Sequence, residues 1–324
     1  MGDGSGSSVD FLGQYRAISN KLKKRFLRKP NVTEASDQFG ALALRCERDE
    51  LPQYAGLCWM AAARCEGSLS NNPGEAWDLV RGARQFMAAE VKGARLGCPS
   101  PGGEHLQAAV SCYSHAATKW QQHQSCEHTQ GLPQPPSPLA AGLSLELGHA
   151  LRVDLNRVGE AATEYKHAAE LQRGSPLEQL NSLGLLASCQ IELGDYDGAL
   201  STFNEMVTVT EVGSRPTMGA YSDILHRCEV TRVLLLLILQ PSAQRLPPDL
   251  AQVLEKYAWG EEGSVPVSYL SEDEFLLLQS LVMACQSRDV ESLCSLEAEL
   301  WSHLSSEQRG LLRTLVRQMF SGPK

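Results

Sequence analysis

Apolar side chains recur every three or four residues along most of this chain, and runs of alternating apolar and polar positions are nearly absent. That period belongs to helices with one packed face. Val9 to Lys29 reads as one helix, with Phe11, Leu12, Tyr15, Ile18, Leu22, Phe26 and Leu27 on a stripe that Pro30 ends. Asn31 or Thr33 is positioned to cap the next helix, which carries Ala35, Phe39, Leu42 and Leu44 to about Glu50. Breakers then divide the chain into helices at about 52–68, 74–92, 102–126, 139–155, 158–172, 176–193, 197–211, 219–240, 248–258, 271–286, 289–302 and 305–320. The reading is an all-α, tetratricopeptide-like helical-repeat solenoid of roughly thirteen helices. Residues 9–320 are expected to form a single solenoid with flexible loops near 129–138, 212–219 and 260–268, between tails at 1–8 and 321–324.

A weak internal repeat supports this architecture. Ala161 and Tyr165 in V-G-E-A-A-T-E-Y precede Ala199 and Phe203 in L-G-D-Y-D-G-A-L-S-T-F-N-E-M by the same 38 positions. A small residue lets a neighbouring helix approach, and a ring four positions later fills the space one turn on. Gly194-Asp195-Tyr196 supplies the turn between paired helices. Ala76, and Ala35 with Phe39, are fainter echoes. A period of this length marks a helical array, and stacked helix pairs present extended surfaces suited to binding other proteins.

The segment R-V-L-L-L-L-I-L-Q at 232–240 is apolar all round, which fits an internal core helix or one that is partly partner-facing. Ser271 ahead of Glu272-Asp273-Glu274 reads as a helix cap with acidic residues in the first turn.

The formal net charge of −9 argues against general nucleic-acid binding, but the charge is unevenly placed. K-L-K-K-R-F-L-R-K at 21–29 holds Lys21, Lys23, Lys24, Arg25, Arg28 and Lys29, six cations in nine residues. These could form a docking surface for an acidic partner, a nuclear-import signal, a contact with nucleic acid or a membrane surface, or only the solvated face of an amphipathic helix. The last helix sets Leu311, Leu312, Leu315, Val316, Met319 and Phe320 on one side and Arg309, Arg313 and Arg317 along its edge, and the last helices together, 289–320, are a second candidate contact surface.

Ten cysteines show no C-x-x-C pair, and several lie on apolar faces, where a thiol acts as a small hydrophobe. Cys112, His115, His123, Cys126 and His128 place five possible metal ligands within 17 residues, in an order that matches no familiar zinc spacing, so no metal is assigned. No nucleophile motif, Gly-rich phosphate loop or H-E-x-x-H occurs, and neither catalysis nor a cofactor is expected. The start, M-G-D-G-S-G-S-S-V-D, has no apolar stretch, and Gly6 stands where a myristoylation signal has Ser or Thr. The apolar run Val233–Leu239 is far short of the ~20 residues a membrane span needs. A soluble protein of a reducing compartment, without membrane insertion or nucleic acid, is the expectation.

Four segments carry more information than their charge or hydropathy: I-S-N-K-L-K-K-R-F-L-R-K-P-N-V (18–32), C-E-V-T-R-V-L-L-L-L-I-L-Q-P (228–241), L-E-K-Y-A-W (254–259) and F-L-L-L-Q-S-L-V-M-A (275–284). They resemble the 40-kDa huntingtin-associated protein family, over most of the chain. The resemblance implies a tetratricopeptide-like solenoid clasped one-to-one by huntingtin, a large HEAT-repeat protein. It also implies a link to early endosomes and their motility through the small GTPase Rab5, in a protein that is cytoplasmic and in part nuclear. Mammalian members carry a proline-rich insertion where this chain has only V-G-S-R-P-T-M-G (212–219). A vesicle-trafficking adaptor of the SNARE-attachment type, also built from stacked helix pairs, is the alternative binding class.

Overall fold

The computed structural model describes residues 10–23, 31–127, 138–212, 219–240, 248–258 and 268–321. The expected loops near 129–138, 212–219 and 260–268 fall almost wholly outside them. The chain divides into two compact units, Met1–Ser175 and Pro176–Lys324. In the first lie α1 (Phe11–Lys21), α2 (Val32–Arg48), α3 (Pro52–Ser68), α4 (Asn72–Arg95), α5 (Glu104–Glu127), α6 (Pro138–His149) and α7 (Val158–Leu171). A π-helical turn at Ala150–Asp154 prolongs α6. In the second lie α8 (Pro176–Glu192), α9 (Tyr196–Val212), α10 (Ala220–Leu239), α11 (Pro248–Ala258), α12 (Glu272–Ser287), α13 (Val290–Leu300) and α14 (Ser306–Ser321). Among the described residues there are fourteen α-helices, against the roughly thirteen expected, and no strand. Within each unit every helix packs on the next in sequence, as in a helical solenoid, and α10 also meets α12 and α14.

Local chemistry sets the ends of these helices. The side chains of Asn31, Asn71 and Asp289 each accept from a backbone N–H three residues on, filling a donor left over at a helix start. Ser271 and Glu274 close a reciprocal capping box at the start of α12, where the sequence put its cap. Gly194 has φ +76°, a conformation open to glycine, and Asp195 accepts from Gly198 N–H at 3.0 Å to start α9.

The repeat echo is a packing device. Ala161, Tyr165, Ala199 and Phe203 are all essentially inaccessible to water, as are Ala35, Phe39 and Ala76. A Cβ on Gly148 of α6 would come within 2.8 Å of the Tyr165 ring, so α6 and α7 touch almost backbone to ring there. Val233 to Leu236 of α10 are completely buried, with α9, α11, α12 and α14 against this helix. Of the two readings of this segment, the internal core helix is the one observed.

The first helix is shorter than its apolar stripe predicts. It ends at Lys21, and the N–H of Leu22 bonds back only three residues, to Ser19 O at 3.2 Å. The continuation would have placed Lys21 over Arg25, Lys24 over Arg28 and Arg25 over Lys29, like charges one turn apart that oppose a helix.

Candidate partner-binding surfaces

The basic segment at the end of α1 is partly committed within the fold. Lys21 Nζ lies 2.8 Å from Glu34 Oε1 and 2.9 Å from Gln38 Oε1, both on α2. The Lys21 hydrogen bond and charge hold the Glu34 carboxyl below its usual range. The pair is solvent-exposed, so water competes with it and an outside carboxylate can replace Glu34. Lys23 is exposed. Lys24, Arg25, Arg28 and Lys29 lie outside the described residues.

At the other end of the chain, Leu311, Leu312, Leu315 and Val316 pack inward as the stripe on α14 requires. Phe320, expected on the same side, is 62% exposed, because the last turn of α14 is left uncovered by the described residues. Arg309 donates through Nε to the carbonyl of Trp301 at 2.8 Å, and its guanidinium carbon is 5.0 Å from the Trp301 ring centre. The Arg313 guanidinium sits 4.4 Å from the same centre and 3.9 Å from Glu297 Oε1. Stacking holds a guanidinium in place while leaving its edge free for hydrogen bonds. Arg317 is exposed. The three arginines therefore do share an edge, with two of them ordered by an indole. The tryptophan platform is not readable from the sequence, since the turn at 301–305 breaks the helical register linking Trp301 to α14.

A third surface has no counterpart in the sequence reading. Helices α5, α6 and α7 enclose a groove of about 360 Å³. Its floor is Leu143, Ser144 and Leu147 of α6, all buried. One wall is an α5 stripe that includes Val110, Ala117 and Thr118, and the other is Glu164 and His167 of α7. His167 Nδ1 is 3.1 Å from Ser144 Oγ. Burial pushes the Glu164 carboxyl above its usual range, against the opposing pull of His167 and the Ser144 hydroxyl. Beside the groove, Arg84 grips Glu146 through Nε at 2.7 Å and Nη2 at 2.8 Å, and the Tyr113 hydroxyl donates to Glu146 Oε1 at 2.8 Å. Those bonds hold the Glu146 carboxyl low in spite of its burial, and burial drives the Tyr113 hydroxyl well above its ordinary value.

Buried charge appears in the second unit as well. Glu229 on α10 accepts from the Tyr257 hydroxyl at 3.3 Å and lies 3.5 Å from Lys256 Nζ and 3.6 Å from Arg232 Nη1. Nearby, Glu274 Oε1 is 3.1 Å from His226 Nε2 and 3.8 Å from His303 Nδ1. These groups tie helices together.

The cysteine–histidine cluster is split. Cys112 is buried, with its thiol pushed up to about 11 by desolvation, whereas His115 on the same helix is exposed. His128 and the side chains of His123 and Cys126 lie outside the described residues. Among the described residues no group of three or more His, Cys, Asp or Glu side chains is placed to hold a metal ion. No described helix is long and apolar enough to cross a membrane.

No family model matches the chain. Two proteins similar to it, in Mus musculus and Rattus norvegicus, both carry the name 40-kDa huntingtin-associated protein. The mouse protein is 40% identical over 367 aligned positions, spanning 96% of this chain and 93% of its own length. The rat protein is 39% identical over 382 positions, spanning 99% and 96%. Both alignments are longer than this chain, so each relative holds residues without a counterpart here.

Proposed function

Because the chain belongs to the 40-kDa huntingtin-associated protein family, we propose that it is a non-enzymatic binding subunit that forms a stable one-to-one complex with huntingtin. The observation that carries this reading is identity of about 40% along nearly the whole length of two proteins named for that association. The fold supports it physically. Each unit is a stack of helices, an architecture whose long lateral surfaces suit another helical-repeat protein. The candidate contacts are Lys21 and Lys23 with the rest of the basic segment (Lys24, Arg25, Arg28, Lys29) and, on α14, Arg309, Arg313 and Arg317. We further propose that the complex acts on Rab5-positive early endosomes and their motility, in the cytoplasm and in part the nucleus. No cofactor and no nucleic acid take part in this reading.

The test is size-exclusion chromatography of the chain alone and co-expressed with huntingtin. Co-elution at one-to-one stoichiometry through high salt supports an obligate subunit held largely by apolar contacts. A well-behaved monomer that ignores huntingtin but binds a SNARE bundle overturns it in favour of a general trafficking adaptor.

A further inference from the structure

The groove between α5, α6 and α7 differs in electrostatic character from the basic surfaces of α1 and α14. Among the described residues its lining holds one carboxylate, Glu164, and no lysine or arginine. At about 360 Å³ it is near the lower end of the range of ligand pockets, roughly 300–1,000 Å³. Its α5 wall runs from Val110 to Gln121, three turns or about 17 Å at 1.5 Å per residue. A trough of that length fits a short stretch of polypeptide better than a compact small molecule.

We propose that this groove, resting on the huntingtin-binding reading above, receives a segment of huntingtin in which a lysine or arginine stands within one helical turn of an apolar side chain. The apolar side chain lies on Leu143 and Leu147, with Val110 and Ala117 beside it, and the cation meets Glu164. Three features point to a cation. Glu164 is on the groove wall, the electrostatic pull that opposes its burial comes from His167 on its own helix, and the described residues lining the groove include no lysine or arginine. Burial has already raised the carboxyl, so the ionised form gains from an incoming ammonium or guanidinium. The polar contacts of Ser144, His167 and Tyr113 line the trough without filling it. The arrangement complements the surfaces of α1 and α14, which offer cations to a partner, by offering it an acid.

The experiment uses the full chain co-expressed with huntingtin, with a photoreactive phenylalanine analogue replacing Thr118, an exposed position on the α5 wall. Glu164→Gln removes the charge with little change of shape, and Thr118→Lys sets a cation opposite it; circular dichroism of both checks the fold. The expected result is a cross-linked huntingtin peptide of the stated composition and a roughly tenfold or greater weakening of the complex by each variant, the scale of one lost charge-assisted hydrogen bond. Cross-linking to an acidic segment or to a second copy of this chain overturns the inference. So does unchanged affinity of both variants with no cross-link, in which case the huntingtin reading stands. Failure of the unaltered chain to associate at all removes the huntingtin reading itself, and the two failures are therefore distinct.

Discussion

Replacing Asp78 by asparagine is expected to stabilise the first unit at neutral pH. Asp78 lies on α4 with its side chain only 15% exposed, and its nearest cation, Arg81, stands 3.9 Å away and is itself half in water. Burial pushes its carboxyl from the ordinary 3.8 up to about 6, with Arg81 pulling weakly the other way and Glu66 adding to the rise. A folded value above the unfolded one means that the native state holds the proton more tightly. The associated stability is therefore full below about pH 3.8 and is lost as pH rises through about 6. At 1.36 kcal/mol per unit, the ionised group costs about 3 kcal/mol at pH 7.5 as an upper bound. The loss of the long Arg81 contact reduces the gain from asparagine to about 1–3 kcal/mol. For a domain of this size each kcal/mol moves the midpoint by about 2–4 °C, so Asp78→Asn is expected to raise Tm by about 2–12 °C at pH 7.5. Near pH 4 the advantage largely vanishes. Thermal and urea denaturation of both proteins at the two pH values reads this directly. Equal stability at pH 7.5, or an advantage independent of pH, would refute the reasoning, since both imply that the carboxylate is adequately solvated or paired.

Phe203→Ala empties a fully buried ring position on α9 and is expected to cost about 3–5 kcal/mol, read as a lowered urea midpoint in the second unit. Glu274→Gln tests the opposite pH sign. Burial alone would raise this carboxyl, but bonds from Ser271 and His226 hold it below 4.5, so its stabilisation is present above that pH and is lost as pH falls through the folded value. The variant should lose stability at pH 7 and converge with the parent in acid; a gap that persists in acid would contradict the assignment. Reversing Lys23, Arg313 and Arg317 together should weaken association with huntingtin at low salt, with the difference shrinking as ionic strength rises. An effect equal at all salt concentrations would remove these residues as electrostatic contacts. Gly148→Ala drives a methyl group toward the Tyr165 ring and should lower Tm, whereas no change would mean that α6 and α7 separate freely there.

The parts of this protein that were legible in its sequence are those written within one or two helical turns. Ala199 with Phe203 announced a packed pair because a small residue and a ring four positions apart meet the same neighbouring helix, and both are buried in the fold. Ser271 with Glu274 is a bond between residues three apart, and Val233–Leu236 needs burial on every side wherever it lies. The α1 stripe overreached, since hydrophobic spacing is silent about the like charges that accumulate beyond Lys21. What stayed hidden is built across distance. Arg84 meets Glu146 62 positions along the chain, and Trp301 reaches Arg309 and Arg313 only through the turn after α13. The α5–α7 groove needs three helices, one of whose walls reads locally as a plain small and polar face.

Internal charge pairing also bears on how such a chain holds a partner. Several of its described cations already have an internal counterpart: Lys21 with Glu34, Arg84 with Glu146, Lys119 with Glu75, Arg227 with Glu307 and Arg313 with Glu297. When a partner's carboxylate recruits one of these, it exchanges one pair for another, and only the difference appears as affinity. Charge in this protein is then better suited to fixing orientation than to supplying the bulk of binding energy. Apolar surface has no such internal competitor. Leu276 and Met283 are both about half exposed, seven residues apart on the same side of α12, and Phe320 stands clear at the end of α14. A single exposed apolar side chain is ordinary, but two on one helical stripe form a start for burial against another helix. A complex of this chain should accordingly keep most of its affinity at salt concentrations that erase the contribution of its arginines.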